Sequence, residues 1–323
     1  MNQIIKSKDW ENSSKLFTIA IPVFNRSNTV LRTLSSIENQ TYKDFEIIIV
    51  DDGSTDDIDK VILPFISTTE SPVLYIKKEN GGVHTARNIG VIEARGKFYI
   101  EIDSDDELTT NALEIFKDAW DSIPTEIREE YREVVGLCKD EKSNICGTFF
   151  PSNINELPWK DALAECIKTN GEHLGCSITK IRKENLFPEP KSVTFYNENI
   201  LWAKLAEKNK SYFINKIVRI YHTEGDDHLN TVLDKTKKTK TVQQCKNGLW
   251  ECSYMLNNWT TYKNYASFFS TVIRYSLMRQ ILRKDDKDFC NKNKIKGINN
   301  MYAYYLTLLP VFIFSFIYKA KRM

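Results

Sequence analysis

Four short apolar runs, at 17–23, 45–50, 73–76 and 97–102, alternate with segments whose apolar residues fall three and four positions apart. The runs have strand length and little internal alternation, so they predict strands buried on both faces. Between the first two, Val30, Leu31, Leu34 and Ile37 share one helical face behind Ser27 or Asn28 as N-cap; between the next two, Ile58, Val61, Ile62 and Phe65 share another. Gly81 and Gly82 open a third helix through Ala86, Ile89 and Gly90, before Gly96 leads into the fourth run. This alternation predicts an α/β fold with a mostly parallel, twisted, Rossmann-like sheet and helices on both faces.

After Leu108 the pattern is less regular. It predicts an amphipathic helix through Leu113, Phe116 and Trp120, short strands at 134–138 and 147–150, and a helix behind Pro158 carrying Trp159, Ala162, Leu163, Cys166 and Ile167. A strand at 177–179, a helix at 200–206 and a strand ending in Arg219-Ile220-Tyr221-His222 follow, and beyond Thr231 the chain reads as helical and basic. There are no internal repeats and no low-complexity linker, so the two halves are expected to share one sheet. The organisation expected is a ligand-binding half at 1–110, a mixed half at 111–230 and a helical region at 231–323.

Composition narrows the class. With 323 residues, 41% hydrophobic and 12% aromatic, the chain can bury a large core. Forty-five basic against forty-three acidic side chains leave +2, which offers no whole-molecule attraction for nucleic acid. Seven cysteines without CxxC spacing indicate neither a disulfide framework nor a zinc site and fit a reducing compartment. Residues 1–10 lack an apolar core, so no secretory signal is read and a cytoplasmic location is expected. Residues 301–318, MYAYYLTLLPVFIFSFIY, are apolar but short for a span and interrupted by Pro310, and a basic tip follows. The expectation is peripheral membrane contact through an interfacial helix or hairpin; a helix packed on the core is the other reading.

The chemistry gathers at the strand ends. Asp51-Asp52-Gly53-Ser54 closes the second run and Asp103-Ser104-Asp105-Asp106 closes the fourth. Carboxylates are costly inside buried strands, so acids at the ends should line a ligand-facing edge. Asp103 and Asp105, one residue apart, suit a hard divalent cation that also meets substrate phosphates.

Four blocks occur in order: TIAIPVFNR at 18–26, QTYKDFEIIIVDDGSTD at 40–56, NGGVHTARNIG at 80–90, and the Asp103-Ser104-Asp105 cluster. Together they resemble family 2 glycosyltransferases of the GT-A fold, closely over about 17–110 and more weakly to about 225. The resemblance implies an inverting, metal-dependent transfer from a nucleotide-sugar, most simply a UDP-sugar, to a saccharide or undecaprenyl-type lipid-linked saccharide. That work belongs at the inner face of a bacterial plasma membrane, in O-antigen, capsule or related polysaccharide biosynthesis, with no nucleic-acid partner. A catalytically inactive nucleotide-binding or scaffold protein on the same fold is the alternative.

Residue by residue, the resemblance implies that Pro22, Phe24 and Asn25 border the nucleoside and that Asp52 accepts from base or ribose. Asp51 either supports that loop or caps the next helix. Asp103, with Ser104 beside it, faces a ribose hydroxyl, while Asp105, with Asp103 as a further ligand, holds Mn2+ or Mg2+; Asp106 is a second candidate. Arg87, behind two glycines, clamps phosphate or makes a surface ion pair. The family's Glu-Asp pair corresponds to Glu198-Asn199, which leaves Glu198 as the catalytic base or as an acceptor-orienting or capping residue, with Asp226 and Asp227 as outside candidates. His222 is a third metal ligand or a hydrogen-bonded structural histidine, and Trp159 and Trp202 belong to the core rather than to a sugar platform.

Overall fold

The computed structural model describes residues 3–11, 15–206, 208–222, 242–257, 265–282 and 286–294. The chain forms two compact units, Met1–Pro188 with Lys208–His228, and Glu189–Glu207 with Leu229–Met323.

The first unit is built on one nine-stranded sheet. In chain order its elements are β1 (Gln3–Lys6), β2 (Phe17–Val23), α1 (Val30–Glu38), β3 (Phe45–Asp51), α2 (Ile58–Thr68), β4 (Val73–Lys77), α3 (Val83–Glu93) and β5 (Phe98–Glu101). There follow β6 (Glu107–Leu108), α4 (Ala112–Ser122), β7 (Tyr131–Asp140), α5 (Trp159–Lys168), β8 (His173–Ile178), α6 (Thr179–Glu184) and β9 (Lys210–Tyr221). The spatial order is β1-β4-β3-β2-β5-β8-β7-β9-β6. Strands β4, β3, β2 and β5 run parallel, β8 is antiparallel to both β5 and β7, and β7 pairs parallel with β9. Both halves of the unit therefore share the sheet.

Residue parity explains why the central strands are apolar throughout. Phe17, Ile19, Ile21 and Val23 of β2 and Phe45, Ile47 and Ile49 of β3 enter one core with residues of α1, α2 and α4. Ala20, Ile48 and Val50 point the other way, into a second core with Ala86 and Val91 of α3. Among them sits a fully buried Glu46, whose carboxylate accepts from Thr18 Oγ1 (2.7 Å), the Arg95 backbone N–H (2.9 Å) and Arg95 Nε (3.0 Å). The Arg95 guanidinium in turn stacks 3.8 Å over Trp10, so one ion pair ties β2, β3 and the segment after α3 together.

Two local expectations are corrected. Thr29, not Ser27 or Asn28, precedes α1, with no side-chain cap; the Ser27 N–H donates to Asp56 Oδ2 (2.8 Å) across the sheet end. Residues 147–150 form no strand: the Phe150 backbone N–H and C=O are satisfied by the Asn215 side chain (2.8 and 2.9 Å) instead of a ladder. Gly147, at φ +98°, abuts Gly171 so closely that a Cβ would lie 2.5 Å from its Cα.

The second unit contains α7 (Asn199–Ala206), α8 (Val242–Asn257), α9 (Tyr265–Leu282) and α10 (Lys287–Lys292). Buried Cys245, Leu249, Cys252 and Leu256 recur at helical spacing along α8, and α9 buries Val272, Tyr275, Met278 and Leu282. The other face of α8 holds the segment before α7. Asn247 Oδ1 accepts from the Thr194 N–H (3.1 Å), Trp250 packs on Tyr196 with centroids 4.6 Å apart, and Glu251 accepts from the Asn197 N–H. No helix among the described residues is long and apolar enough to cross a membrane. Residues 301–323, on which the membrane expectation rests, and Asp226 and Asp227 lie outside the described residues.

Candidate active site

The sheet of the first unit changes winding direction at β2. From β2 the chain moves outward through β3 to β4, then returns to place β5 on the opposite side. The crevice beyond the carboxyl ends of β2 and β5 is thus a topological switch point, where an α/β sheet leaves room for a ligand. The register Val23↔Asp51↔Lys77 brings the ends of β2, β3 and β4 level.

Side chains lock these ends together. Asn25 adopts a left-handed backbone (φ 53°); its N–H donates to Ser54 Oγ (2.9 Å) and its Oδ1 accepts from the Thr55 N–H (2.8 Å). Gly53, at φ +77°, is required because a Cβ there would lie 2.7 Å from Asn80 N. Pro22 is buried in β2, whereas Phe24 is 45% exposed at the edge.

Asp51 and Asp52 both turn inward. Asp51 Oδ1 accepts from the Ser54 N–H (2.7 Å), and its Oδ2 lies 3.2 Å from the Tyr75 hydroxyl and 3.5 Å from Lys77 Nζ. The single Tyr75 hydroxyl proton has Asp59 Oδ1 as its nearer acceptor (2.7 Å), and burial together with these acids raises the hydroxyl far above the usual tyrosine range. Asp52, 3% exposed, accepts from the Gly81 N–H and the Gly82 N–H (both 2.9 Å) and from Lys78 Nζ. It therefore anchors the loop that opens α3. Neither acid caps α2, whose N-cap is Asp57.

Across the switch point, the 103–106 loop rests on the start of α1, where Thr29 Oγ1 donates to the Ser104 carbonyl (3.0 Å) and Arg32 donates to the Asp105 carbonyl. The Asp103 side chain is 45% exposed and that of Asp105 20%. Arg87 NH2 lies 3.4 Å from Asp103 while its Nε makes a 2.7 Å ion pair with Glu101; Arg26 Nε lies 3.6 Å from Asp105. Asp106 is buried, accepts from the His222 backbone N–H (3.0 Å) and faces Arg219 at 3.5 Å. Burial pushes its carboxyl up to about 7, against the pull of Arg219 and that N–H. His222 Nε2 is 2.7 Å from Glu107 Oε1, so this ring already has an acidic partner.

The structure thus brings Asn25, Arg87, Asp103, Ser104 and Asp105 to one edge, with Asp51 and Asp52 as its internal struts. Glu198 is exposed and belongs to the second unit. Arg26, Glu101 and Lys78 join the edge without a site signal of their own: Arg26 lies in the first sequence block, and Glu101 is a polar break at the end of an apolar run. Among the described residues no group of three His, Cys, Asp or Glu side chains is poised for a metal. Asp103 and Asp105 nevertheless offer hard oxygen donors that reach solvent, each with one arginine nitrogen at 3.4–3.6 Å. They fit Mn2+ or Mg2+ bound through one or two carboxylates, with water and substrate phosphate completing the shell.

A family model described as Glycosyl transferase family 2 matches residues 18–127. An uncharacterized glycosyltransferase of Rickettsia prowazekii is 37% identical over 233 residues, 70% of this chain and 69% of that protein. The GalNAc(5)-diNAcBac-PP-undecaprenol beta-1,3-glucosyltransferase of Campylobacter jejuni is 32% identical over 217 residues, 65% of each chain. The chain spans less than half, 44% and 45%, of the length of two further Rickettsia glycosyltransferases it matches. Among solved structures, S. aureus TarS 1-349 with UDP-GlcNAc aligns at TM-score 0.51 and 16% identity, covering 91% of this chain and 80% of that one. GalNAc-T7 with UDP, GalNAc and Mn2+ aligns at 0.54 and 17%, covering 92% and 58%. Both show the same GT-A fold.

Proposed function

The chain belongs to glycosyl transferase family 2, and from that premise we propose that it is an inverting glycosyltransferase moving a sugar from a nucleotide-sugar to a hydroxyl of a saccharide or lipid-linked saccharide. The observation that carries the reading is the convergence of Asn25, Arg87, Asp103 and Asp105 on the switch-point edge. UDP-sugars are the first donors to test, since TarS and GalNAc-T7 were solved with UDP-GlcNAc and UDP. The lipid-linked acceptor is favoured by the undecaprenol-linked substrate in the name of the Campylobacter relative and by the apolar, basic-tipped segment at 301–323. That segment is proposed to hold the protein peripherally at the cytoplasmic face of a bacterial membrane during cell-surface polysaccharide assembly.

In the proposed reaction Pro22, Phe24 and Asn25 border the nucleoside, and Asp51 and Asp52 hold the loops around it. Asp103 and Ser104 take the ribose side. Glu198 removes the proton of the acceptor hydroxyl, whose oxygen attacks the anomeric carbon as the bond to the diphosphate oxygen breaks. A single displacement inverts an α-linked donor to a β-glycoside. Arg87 stabilises the charge that develops on the leaving diphosphate, a role suited to a planar, permanently charged donor. Asp105 and Asp103 would hold a Mn2+ or Mg2+ ion, which would supply further positive charge to that diphosphate. His222 would join as a third ligand through Nδ1, or through Nε2 by giving up its contact with Glu107.

Calorimetric titration of UDP, GDP and their sugar conjugates, with and without Mn2+, tests the reading. Metal-dependent binding of one nucleotide series, lost in Asp105→Ala, is expected; absence of binding to every nucleotide refutes it. Removing residues 301–323 should release the protein from anionic lipid vesicles, and unchanged co-sedimentation would exclude the anchoring role.

A further inference from the structure

The acids beyond β5 are met one for one by guanidinium groups: Asp103 by Arg87 (3.4 Å), Asp105 by Arg26 (3.6 Å), Asp106 by Arg219 (3.5 Å) and Glu107 by Arg32 (3.9 Å). The first two pairs differ from the third, in which both partners are buried. Asp103 and Asp105 reach solvent, and their separations exceed the 2.7–2.9 Å of a tight charge-assisted hydrogen bond. Each of these two arginines is also tethered elsewhere. Arg87 keeps Nε on Glu101 at 2.7 Å, and Arg26 donates through NH1 to the Asn25 carbonyl at 3.2 Å, on a loop pinned by Ser54 and Thr55.

We propose that Arg26 and Arg87 are exchangeable counter-charges, neutralising Asp105 and Asp103 when no divalent cation is bound and turning to the substrate diphosphate when one is. The proposal rests on the nucleotide-sugar reading above and deepens it by assigning Arg26 to the diphosphate. Three carboxylates (Asp103, Asp105 and Glu101) and three guanidinium groups (Arg26, Arg87 and Arg182, the last 3.7 Å from Glu101) sum to zero. A divalent cation alone would leave the cluster with two surplus positive charges, and a diphosphate alone would leave it with about two surplus negative charges; together they restore neutrality. Each ligand therefore relieves the repulsion the other meets, and metal and nucleotide bind cooperatively. The tethers to Glu101 and to the Asn25 carbonyl keep both guanidinium groups at the edge during the exchange.

The test titrates Mn2+ alone into wild type, Arg26→Met and Arg87→Met, then titrates UDP and GDP at saturating Mn2+. Removing one competing positive charge should tighten Mn2+ binding roughly tenfold in each variant. Losing one charge-assisted phosphate contact should weaken nucleotide binding by about tenfold or more. Arg26→Lys and Arg87→Lys, which keep the charge, should stay within about threefold of wild type for Mn2+ and serve if a Met variant fails to fold. Unchanged or weaker Mn2+ binding in both Met variants, with nucleotide binding intact in wild type, overturns the exchange alone. No nucleotide binding by wild type overturns the donor reading and the hand-over together, whatever Mn2+ does.

Discussion

Asp52→Asn is the sharpest test of how the candidate site is braced. Asp52 is almost fully buried and its two oxygens accept from the Gly81 N–H, the Gly82 N–H and Lys78 Nζ. An asparagine keeps the shape but replaces one oxygen with an NH2 group. In one orientation that group confronts the Gly82 N–H; in the other it confronts the Gly81 N–H and the Lys78 ammonium. Either way at least one buried donor is left without this acceptor, at about 1–3 kcal/mol, and a largely buried lysine loses its counter-charge. The combined loss is about 3–5 kcal/mol, which corresponds to a fall of roughly 10 °C in Tm for a unit of this size. Thermal unfolding and urea unfolding measured side by side give the answer. A loss smaller than about 1 kcal/mol with an unchanged m-value would refute the strut assignment and return Asp52 to a direct, ligand-facing role.

Three further outcomes are expected. Arg95→Met leaves Glu46 buried without its guanidinium partner and should cost about 3–5 kcal/mol, while the added change Glu46→Leu should recover much of it; equal loss in the single and double variants would argue against an uncompensated charge. Burial, aided by Arg219, pushes the His173 imidazole down to about 4, so the unfolded chain binds the proton first. Stability tied to this ring is intact above pH 6.5 and is lost as pH falls toward 4, by up to about 3 kcal/mol before discounting for partial exposure. His173→Phe, which keeps the stack on Phe150, should flatten that limb in urea unfolding between pH 4 and 6.5; an unaltered slope would exclude His173 as its source. Burial raises the Glu251 carboxyl against the pull of Arg274 and the Asn197 N–H. Its ionised form is therefore unfavourable above the unfolded pKa, and Glu251→Gln should stabilise the second unit at pH 7 but not at pH 4, whereas Glu251→Ala, which removes the acceptor, should destabilise at both; Gln behaving like Ala in thermal unfolding would contradict this.

The strands of the first hundred residues were legible because burial on both sheet faces writes itself as an uninterrupted apolar run, and β2, β3, β4 and β5 lie where those runs are. Elements further along depended on partners the local pattern does not contain. The segment 147–150 has strand-like composition, yet its backbone is claimed by Asn215, more than sixty residues away. Ser27 and Asn28 are good N-cap types, but the helix starts behind Thr29, and the Ser27 backbone is held instead by Asp56 from the next loop. At 147–150 a side chain distant in sequence outbid a local preference.

The same asymmetry governs the candidate site. Acids at strand ends can be read from one short window, because their position and their chemistry are both local. What neutralises them cannot, since Arg26 and Arg219 approach the 103–106 loop from the turn after β2 and from β9, and His222 reaches Glu107 from the end of β9. Read as a string, Asp103-Ser104-Asp105-Asp106-Glu107 is an anionic cluster that should trap a cation unaided. Folded, each of its four acids has a guanidinium beside it, which offsets its charge and weakens the attraction for a lone divalent ion. A site balanced in this way distinguishes a metal accompanied by a diphosphate from either alone, and it does so through arginines whose placement depends on the fold.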